Sequence, residues 1–397
     1  MSLLRLDNPV MDYAWGSREA IAALQGRPTP SPKPEAELWI GAHPKAPSRV
    51  EGRSLAEIIQ ADPVGVLGAA AAATYDGRLP FLLKLLAAAE PLSIQAHPDA
   101  GQALAGFARE EAAGLPVTDP RRNYRDQSAK PEVIFALSEL WALSGFRPRE
   151  ELLELLDAAA LDELAPELQD LREIPGEPGL RRFFAATLTL PDARRATLLD
   201  QLAAAARGPL AERPEGPWLE RIAARHPGDA GLLSVLLLNL IKLEPGQALA
   251  AGARCLHAYL EGFGVELMAN SDNVLRGGLT PKHVDVPELL DVLAFKHESP
   301  TVLDLEGRGY RCPTGEFRLD VFRPGDGEPW RSPSVHGLDI VLSLGGGPCV
   351  VRDERLGQAV DLLPGAACAV TAETGAYTVR GRARVARAST PEPGGPA

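Results

Sequence analysis

The sequence predicts a mainly β protein interrupted by an inserted α-helical domain, and three observations predict it. Residues 1 to about 146 mix short apolar runs with many Pro and Gly breaks, the texture of short strands and turns. After Arg147-Pro148 the texture changes to apolar residues at three- and four-residue steps among Glu, Asp and Ala. From Leu232 the short-strand pattern returns and runs to Arg387.

In the first part, Pro80 to Leu86 and Pro91 to Ala96 read as strands around an Ala-Ala-Glu turn. Ser54 to Gln60 and Gly101 to Ala113 carry helical spacing and read as small helical excursions. In the middle part, Leu152, Leu153, Leu155, Leu156, Leu161, Leu164, Leu168 and Leu171 mark amphipathic helices, punctuated by Pro175, Pro178, Pro191, Pro209 and Pro214. Leu236 to Leu243 reads as a strand that turns at Glu244-Pro245-Gly246-Gln247 into the next. Short strands with Gly breaks between about Thr301 and Arg387 read as a second, smaller β unit, and residues 389–397, rich in Pro and Gly, as a disordered tail. The expected domains are therefore 1–147 with 232–300, an inserted helical domain over 148–231, a C-terminal β domain over 301–388, and the tail.

Composition narrows the function classes. At 397 residues the chain is long enough for two or three domains, and 45% apolar residues suit a core-forming protein. A net charge of −12 argues against a nucleic-acid surface, yet a few local Lys and Arg residues can still dominate a cleft for a small anion. Cys255, Cys312, Cys349 and Cys368 are scattered with no CxxC pair, which argues against a disulfide framework or a cysteine zinc site and suits a reducing cytoplasm. Arg5, Asp7 and Asp12 break up the N-terminal apolar residues, so no signal-peptide core is expected. The longest apolar run, Leu232 to Ile241, is interrupted by Ser234 and Asn239 and is well short of the ~20 residues of a membrane helix. No membrane, nucleic-acid or obligatory protein partner is expected. Gly345-Gly346-Gly347 is followed by Pro348 and reads as a turn, not a phosphate loop.

The chemistry concentrates in a few segments. Gln95 and His97 are two apart in Ser93-Ile94-Gln95-Ala96-His97-Pro98-Asp99, so a strand would point both to one face. Glu132, at the start of the strand-like run Val133 to Leu137, adds a carboxylate that Pro131 would hold in an extended lead-in. His257 adds a second imidazole. Two imidazoles and two oxygen donors suit a borderline-soft divalent ion, zinc first, with room for water or substrate.

Gln-Ala-His-Pro-Asp, Lys130-Pro131-Glu132 and His257-Ala258-Tyr259-Leu260 resemble the motifs of type I mannose-6-phosphate isomerases. So do Glu266, Ser271-Asp272-Asn273-Val274 and Arg276, and before them Trp15-Gly16 and the run Glu37 to Pro44; the matches fall in family order over roughly residues 10 to 290. The resemblance implies a zinc enzyme, one ion per chain, that interconverts mannose 6-phosphate and fructose 6-phosphate on two cupin-like jelly-roll β domains. It implies Gln95, His97, Glu132 and His257 as ligands and Arg276 as the active-site arginine, whose fixed charge and fork suit developing oxyanion density. Glu266 and Asp272 are candidates for the base or its positioning partner, and Lys130 for ring opening or proton shuttling. Lys84, Lys130 and Lys282 arrive with these segments and would make a positive cleft, with the phosphate contact among them undecided. Trp15 is a sugar-stacking wall or core, Ser93 a substrate contact. His43 reads as structural support, and His226, His283, His297 and His336, lacking spaced partners, as surface or satisfied histidines.

One departure stands out. Where the family usually has histidine before Lys-Pro-Glu, this chain has Ala129, which puts a base at that position in doubt. The other readings are a cupin that binds metal and sugar phosphate without catalysis, and an iron oxygenase of cupin type. A glutamine in the ligand set argues against the second.

Overall fold

The computed structural model describes residues 2–391 apart from 298, 308, 326–327 and 334–336. Helix and strand contribute about equally, 30% and 29%, so the expectation of a mainly β chain is corrected to a mixed one. The excess helix comes largely from short segments that the β-like texture concealed. Ala20–Leu24, Pro63–Leu67, Ala69–Thr74 and Val286–Val292 are helical, and each is too short to show a clear 3.6-residue period. The two expected excursions form as Leu55–Ala61 and Ala100–Ala112. Each begins with a capping box, Ser54 with Glu57 and Asp99 with Gln102, in which side chain and backbone at the helix start satisfy one another.

An 11-stranded sheet forms the centre of the molecule. Its principal path runs through Val302–Asp304, Gln247–Ala251, Glu132–Ala136, His257–Ala269, Phe81–Ala88, Glu37–Gly41 and Val10–Met11. The 13-residue strand His257–Ala269 is the hub, pairing antiparallel with Phe81–Ala88 and Glu132–Ala136 along one half and with Leu140–Phe146 and Gln95 along the other. The stretch expected as strand from Pro91 narrows to Ile94–Ala96, and Leu236–Leu237 end a helical turn before strand Leu238–Leu243.

Strands Leu140–Phe146 and Leu238–Leu243 are antiparallel partners, with Leu238 opposite Phe146 and Leu243 opposite Leu140. Helices Arg149–Ala159, Ala165–Glu173, Glu177–Leu188, Asp192–Arg207 and Glu215–Arg225 lie between them in sequence, so the chain leaves the sheet after Phe146 and returns beside it. Leu152, Leu155, Leu156, Leu168 and Leu171 are buried as their spacing requires, joined by Phe183 and Phe184 in one core that reaches Ile94, Leu143 and Phe146 of the sheet. At the base of the excursion Arg147 donates to Glu215 at 2.6 Å and to the carbonyls of Val235 and Leu236. A guanidinium is well suited there, since its several N–H groups satisfy the exposed ends of a break in regular structure.

A six-stranded sheet packs on the other face of the large one. It runs Leu3–Leu6, Ala367–Val370, Asp339–Ser343, Val385–Ser389, Arg318–Phe322, Gly309–Arg311. Two strands pair outside the β unit of their neighbours in sequence. The N-terminal strand Leu3–Leu6 belongs to this sheet through its pairing with Ala367–Val370, and Val302–Asp304 belongs to the large sheet through Gln247–Leu249. Sheet membership is decided by long-range pairing, to which local pattern is blind. Leu83, Leu85, Val133 and Phe135 meet Leu319, Ile340, Leu342 and Ala388 in the core between these two sheets. Val341, Cys368 and Val385 point the opposite way, toward Val351, Tyr377 and Val379 of a four-stranded sheet, as strand alternation demands. Ser389, expected to begin the tail, ends a strand and lies buried opposite Arg318 and Asp339. Residues 392–397 of that expected tail, and His336, lie outside the described residues.

Candidate functional site

The site grows from strand alternation on the central sheet. Leu38, Ile40, Leu83, Leu85, Val133, Phe135, Val265 and Leu267 point into the core beneath. Their intervening neighbours Glu37, Trp39, Lys84, Glu132 and Glu266 therefore share the opposite face. Register aligns them: Trp39 sits opposite Lys84, and Lys84 opposite Glu266. Charged residues that look isolated in three apolar strands thus become one cross-strand row.

His97, Glu132 and His257 form a buried cluster whose ligand atoms all lie within 4.8 Å of one another. His97 Nε2 is 3.4 Å from Glu132 Oε1, and His257 Nε2 is 3.3 Å from Glu132 Oε2. The other ring nitrogens are held by backbone carbonyls: His97 Nδ1 donates to Asn273 O at 2.7 Å and His257 Nδ1 to Cys255 O at 3.1 Å. That arrangement places the lone pair of each ring on Nε2 and aims it at the carboxylate. His97 Nε2 is buried and makes no hydrogen bond, an orphaned acceptor of the kind a cation satisfies. Burial and Lys130 push the His97 pKa down to about 4 against the pull of Glu132, so the ring is neutral at pH 7. Burial works to raise the Glu132 pKa, but Lys130 and His97 outweigh it and hold it well below the usual carboxylate range. The neutral His97 ring and the His257 ring, each oriented by a backbone carbonyl toward an ionised carboxylate, fit zinc. Gln95 lies opposite His257 in the sheet and faces the adjoining cleft, on the strand that ends one residue before His97.

The surrounding motifs hold these groups in place. Asp99 caps the helix that follows His97-Pro98. Asn273 accepts from the backbone N–H groups of Arg125 and Asp126, donates to Ser128 O at 2.9 Å, and offers its own carbonyl to His97. The Ser271-Asp272-Asn273 run is thus a clamp that orients one imidazole.

Beside the cluster, Lys84 Nζ lies 2.9 Å from Glu266 Oε2 and 3.3 Å from Glu37 Oε1, all three nearly excluded from water. Glu37 also accepts from Trp39 Nε1 at 2.7 Å. Burial alone would discharge the lysine, but Glu266 and Glu37 outweigh it and raise its pKa. Burial raises the Glu266 pKa above the ordinary carboxylate value, with Lys84 opposing. Lys130 pairs with Glu132 Oε1 at 2.9 Å. Both buried lysines are therefore already neutralised by carboxylates.

The row opens into a cleft of about 400 Å³. Lys84, Ser93, Gln95, Lys130, Glu132, Glu266, Arg276 and Lys282 line it, and Trp15, stacked on Tyr13 at 5.8 Å, forms one wall. Arg276 and Lys282 differ from the buried lysines: among the described residues neither side chain has an ion pair or hydrogen bond. Burial, then Arg125, lowers the Arg276 pKa, and burial, Arg276 and Arg125 lower that of Lys282, the signature of unshared positive charge.

Asp272 is not on the cleft wall. It pairs with Lys45 at 2.7 Å, lies 3.7 Å from His43 Nε2, and lines a neighbouring cavity. Of the two carboxylates expected as base or positioning partner, Glu266 is the one that lines the cleft. Ala129 lines that same neighbouring cavity.

Among the other cleft-lining residues, Tyr13 and Arg225 had no place in the sequence reading and Glu37 figured only within a family-like run, while His226, expected to be a surface or satisfied histidine, lines the cleft with a buried Nε2 that has no hydrogen-bond partner. A glutamate opening the otherwise apolar, wholly buried strand Glu37–Gly41 was a usable signal. Arg225 and His226 had none, since only the docking of helix Glu215–Arg225 brings them to the cleft.

Residues 3–149 match the family model described as phosphomannose isomerase type I, catalytic domain. The chain is 38% identical to mannose-6-phosphate isomerase of Escherichia coli (strain K12), over 96% of this chain and 98% of that protein. It is 34% identical to the Homo sapiens mannose-6-phosphate isomerase over 73% and 72% of the two chains. The crystal structure of the Salmonella typhimurium mannose 6-phosphate isomerase in its apo form superposes with a TM-score of 0.89 at 35% identity, covering 99% of this chain and all of that one. A structure of the Salmonella protein bound to fructose 6-phosphate and zinc superposes equally well, at 0.89 and 34% identity. Motifs, fold and near full-length identity converge: this chain belongs to the type I phosphomannose isomerase family.

Proposed function

We propose that this chain reversibly isomerises D-mannose 6-phosphate and D-fructose 6-phosphate, with one zinc ion held by His97, Glu132, His257 and Gln95. The observation that carries the reading is the pair of oriented imidazoles whose Nε2 atoms converge on Glu132 at the floor of a cationic cleft. When bound there, zinc would supply Lewis-acid polarisation of the sugar's carbonyl oxygen. The chain's own residues do the rest. The reaction moves a proton between C2 and C1 while carbonyl and hydroxyl exchange places. Glu266 is the base, since burial lifts its proton affinity toward working pH and Lys84 fixes its position. Arg276 meets the oxygens on which enediolate charge collects, because its own charge is shared with no protein carboxylate. Lys282, likewise unpaired, meets the phosphate. Lys84 and Lys130 hold carboxylates in place, and Lys130, which lines the cleft, is the group that carries a proton to the sugar's ring oxygen during ring opening. Trp15 and Ser93 border the sugar.

The domain reading that goes with this is two cupin-like jelly-roll β units with a helical insertion over 148–231, the first strand Leu3–Leu6 being assigned to the C-terminal unit. Among the described residues no helix is long and apolar enough to cross a membrane, and the four cysteines are free thiols, which is in keeping with a cytoplasmic enzyme. A coupled isomerase assay joined to metal analysis tests the function. Chelation should abolish turnover and zinc restore it. A metal-free preparation that isomerises at full rate would sink the zinc assignment, and a zinc-loaded preparation without turnover would favour a non-catalytic sugar-phosphate binder.

A further inference from the structure

Helix Glu215–Arg225 is fixed to the sheet beside the cleft. Arg221 donates to Glu261 at 2.5 Å and to Ala89 O at 2.6 Å, and its guanidinium lies 5.0 Å from the Trp218 ring centre. Trp218 in turn meets Trp141 at 5.9 Å. Arg225 follows Arg221 by four residues, so both are on one face of the helix, the face turned to the sheet. The chain just beyond the helix is tied to the strand that carries Arg276. Asp229 accepts from the backbone N–H of Thr280 at 3.1 Å. Gly231 and Gly278 approach so closely that a Cβ built on Gly278 would stand 2.7 Å from Gly231 Cα. Arg225 and His226 are thereby held against Thr280, Pro281 and Lys282, and all five line the cleft.

Two features of this wall have no structural use. Among the described residues the Arg225 side chain has no ion pair, and the buried His226 Nε2 has no hydrogen-bond partner. A buried polar nitrogen left unsatisfied is costly, and His226 is among the residues that line the cleft. Arg276 and Lys282, the other unpaired cations, lie on the same cleft.

We infer that Arg225 and His226 bind the phosphate end of the substrate, His226 through Nε2 and Arg225 through its charge, so that the helical segment takes part in substrate recognition. The inference rests on the reading of the cleft as a sugar-phosphate site. Neither residue touches the metal cluster or the Lys84–Glu266 pair, so their loss acts on binding and leaves the chemical step in place. In the full-length, zinc-loaded protein, His226→Ala and Arg225→Ala should each raise KM for mannose 6-phosphate about tenfold, the worth of one charge-assisted hydrogen bond, with kcat nearly unchanged. Competitive inhibition by inorganic phosphate should weaken in parallel. Zinc content and the thermal midpoint without ligand should match the parent, and the upward shift of that midpoint by fructose 6-phosphate should shrink. His226→Gln, which keeps a donor at similar reach, should recover part of the KM and guards against a folding artefact. Unchanged KM in both alanine variants overturns the inference. So does a raised KM with unchanged phosphate inhibition, or a loss confined to kcat. A parent protein that does not isomerise mannose 6-phosphate at all instead overturns the function on which the inference rests.

Discussion

Arg276→Ala is the substitution that most sharply separates charge used for catalysis from charge used for folding. The guanidinium is half-buried on strand Leu275–Gly278, whose backbone pairing with Gln95 does not depend on the side chain. It has no carboxylate partner among the described residues, and burial and Arg125 both disfavour its charge. Removing it strands no buried anion and relieves repulsion, so stability should stay level or rise by less than about 1 kcal/mol. Its proposed work is done on the enediolate. Loss of one preorganised charge at such an oxyanion typically lowers kcat by about 10²–10³, or ~2.7–4 kcal/mol. Turnover at saturating mannose 6-phosphate, zinc content and thermal unfolding measured on one preparation resolve the two effects. Turnover within about threefold of the parent would remove Arg276 from the chemical step. Parallel loss of zinc or stability would instead make it a structural residue.

Lys84→Met should behave in the opposite way. It leaves Glu37 and Glu266 buried without their shared cation, a loss of about 3–5 kcal/mol in chemical denaturation, and adding Glu266→Gln should recover part of it; an equally stable single variant would refute the pairing. His43 supplies a pH signature. Burial lowers its pKa from 6.5 to about 4 despite Asp272, so its contribution to stability is full above pH 6.5 and is lost as pH falls toward 4. In metal-free protein the thermal midpoint should therefore decline across that window, by the equivalent of at most about 3 kcal/mol from this residue, and His43→Asn should flatten the decline. An unaltered profile in the variant would show that other groups dominate. Ala129→His should change turnover by less than about tenfold, ~1.4 kcal/mol, since residue 129 lines the neighbouring cavity and not the cleft; a larger gain would mean that this chain is a weakened member of its family.

The sequence by itself carried the His97, Glu132 and His257 cluster and much of the cleft. His97, Glu132 and His257 sit in compact motifs, and motif order supplied the association that single residues lack. It also carried the helical region, because Leu152, Leu155 and Leu156 repeat at a period that only a helix buries on one side. What the tertiary structure alone decided is pairing. Leu3–Leu6 joins a sheet whose other strands begin after residue 300, a contact no local window contains. Lys84, Glu266 and Glu37 become one buried ion network only through the register of three strands. Asp272 and Glu266 look equivalent as acidic residues in one motif region, yet Asp272 turns to Lys45 and Glu266 to the cleft. Arg225 and His226 reach that cleft because a distant helix docks on the sheet. Local pattern reports which side of an element is apolar. Which elements meet, and hence which charges are shared and which remain free to act, follows from packing between segments far apart in the chain.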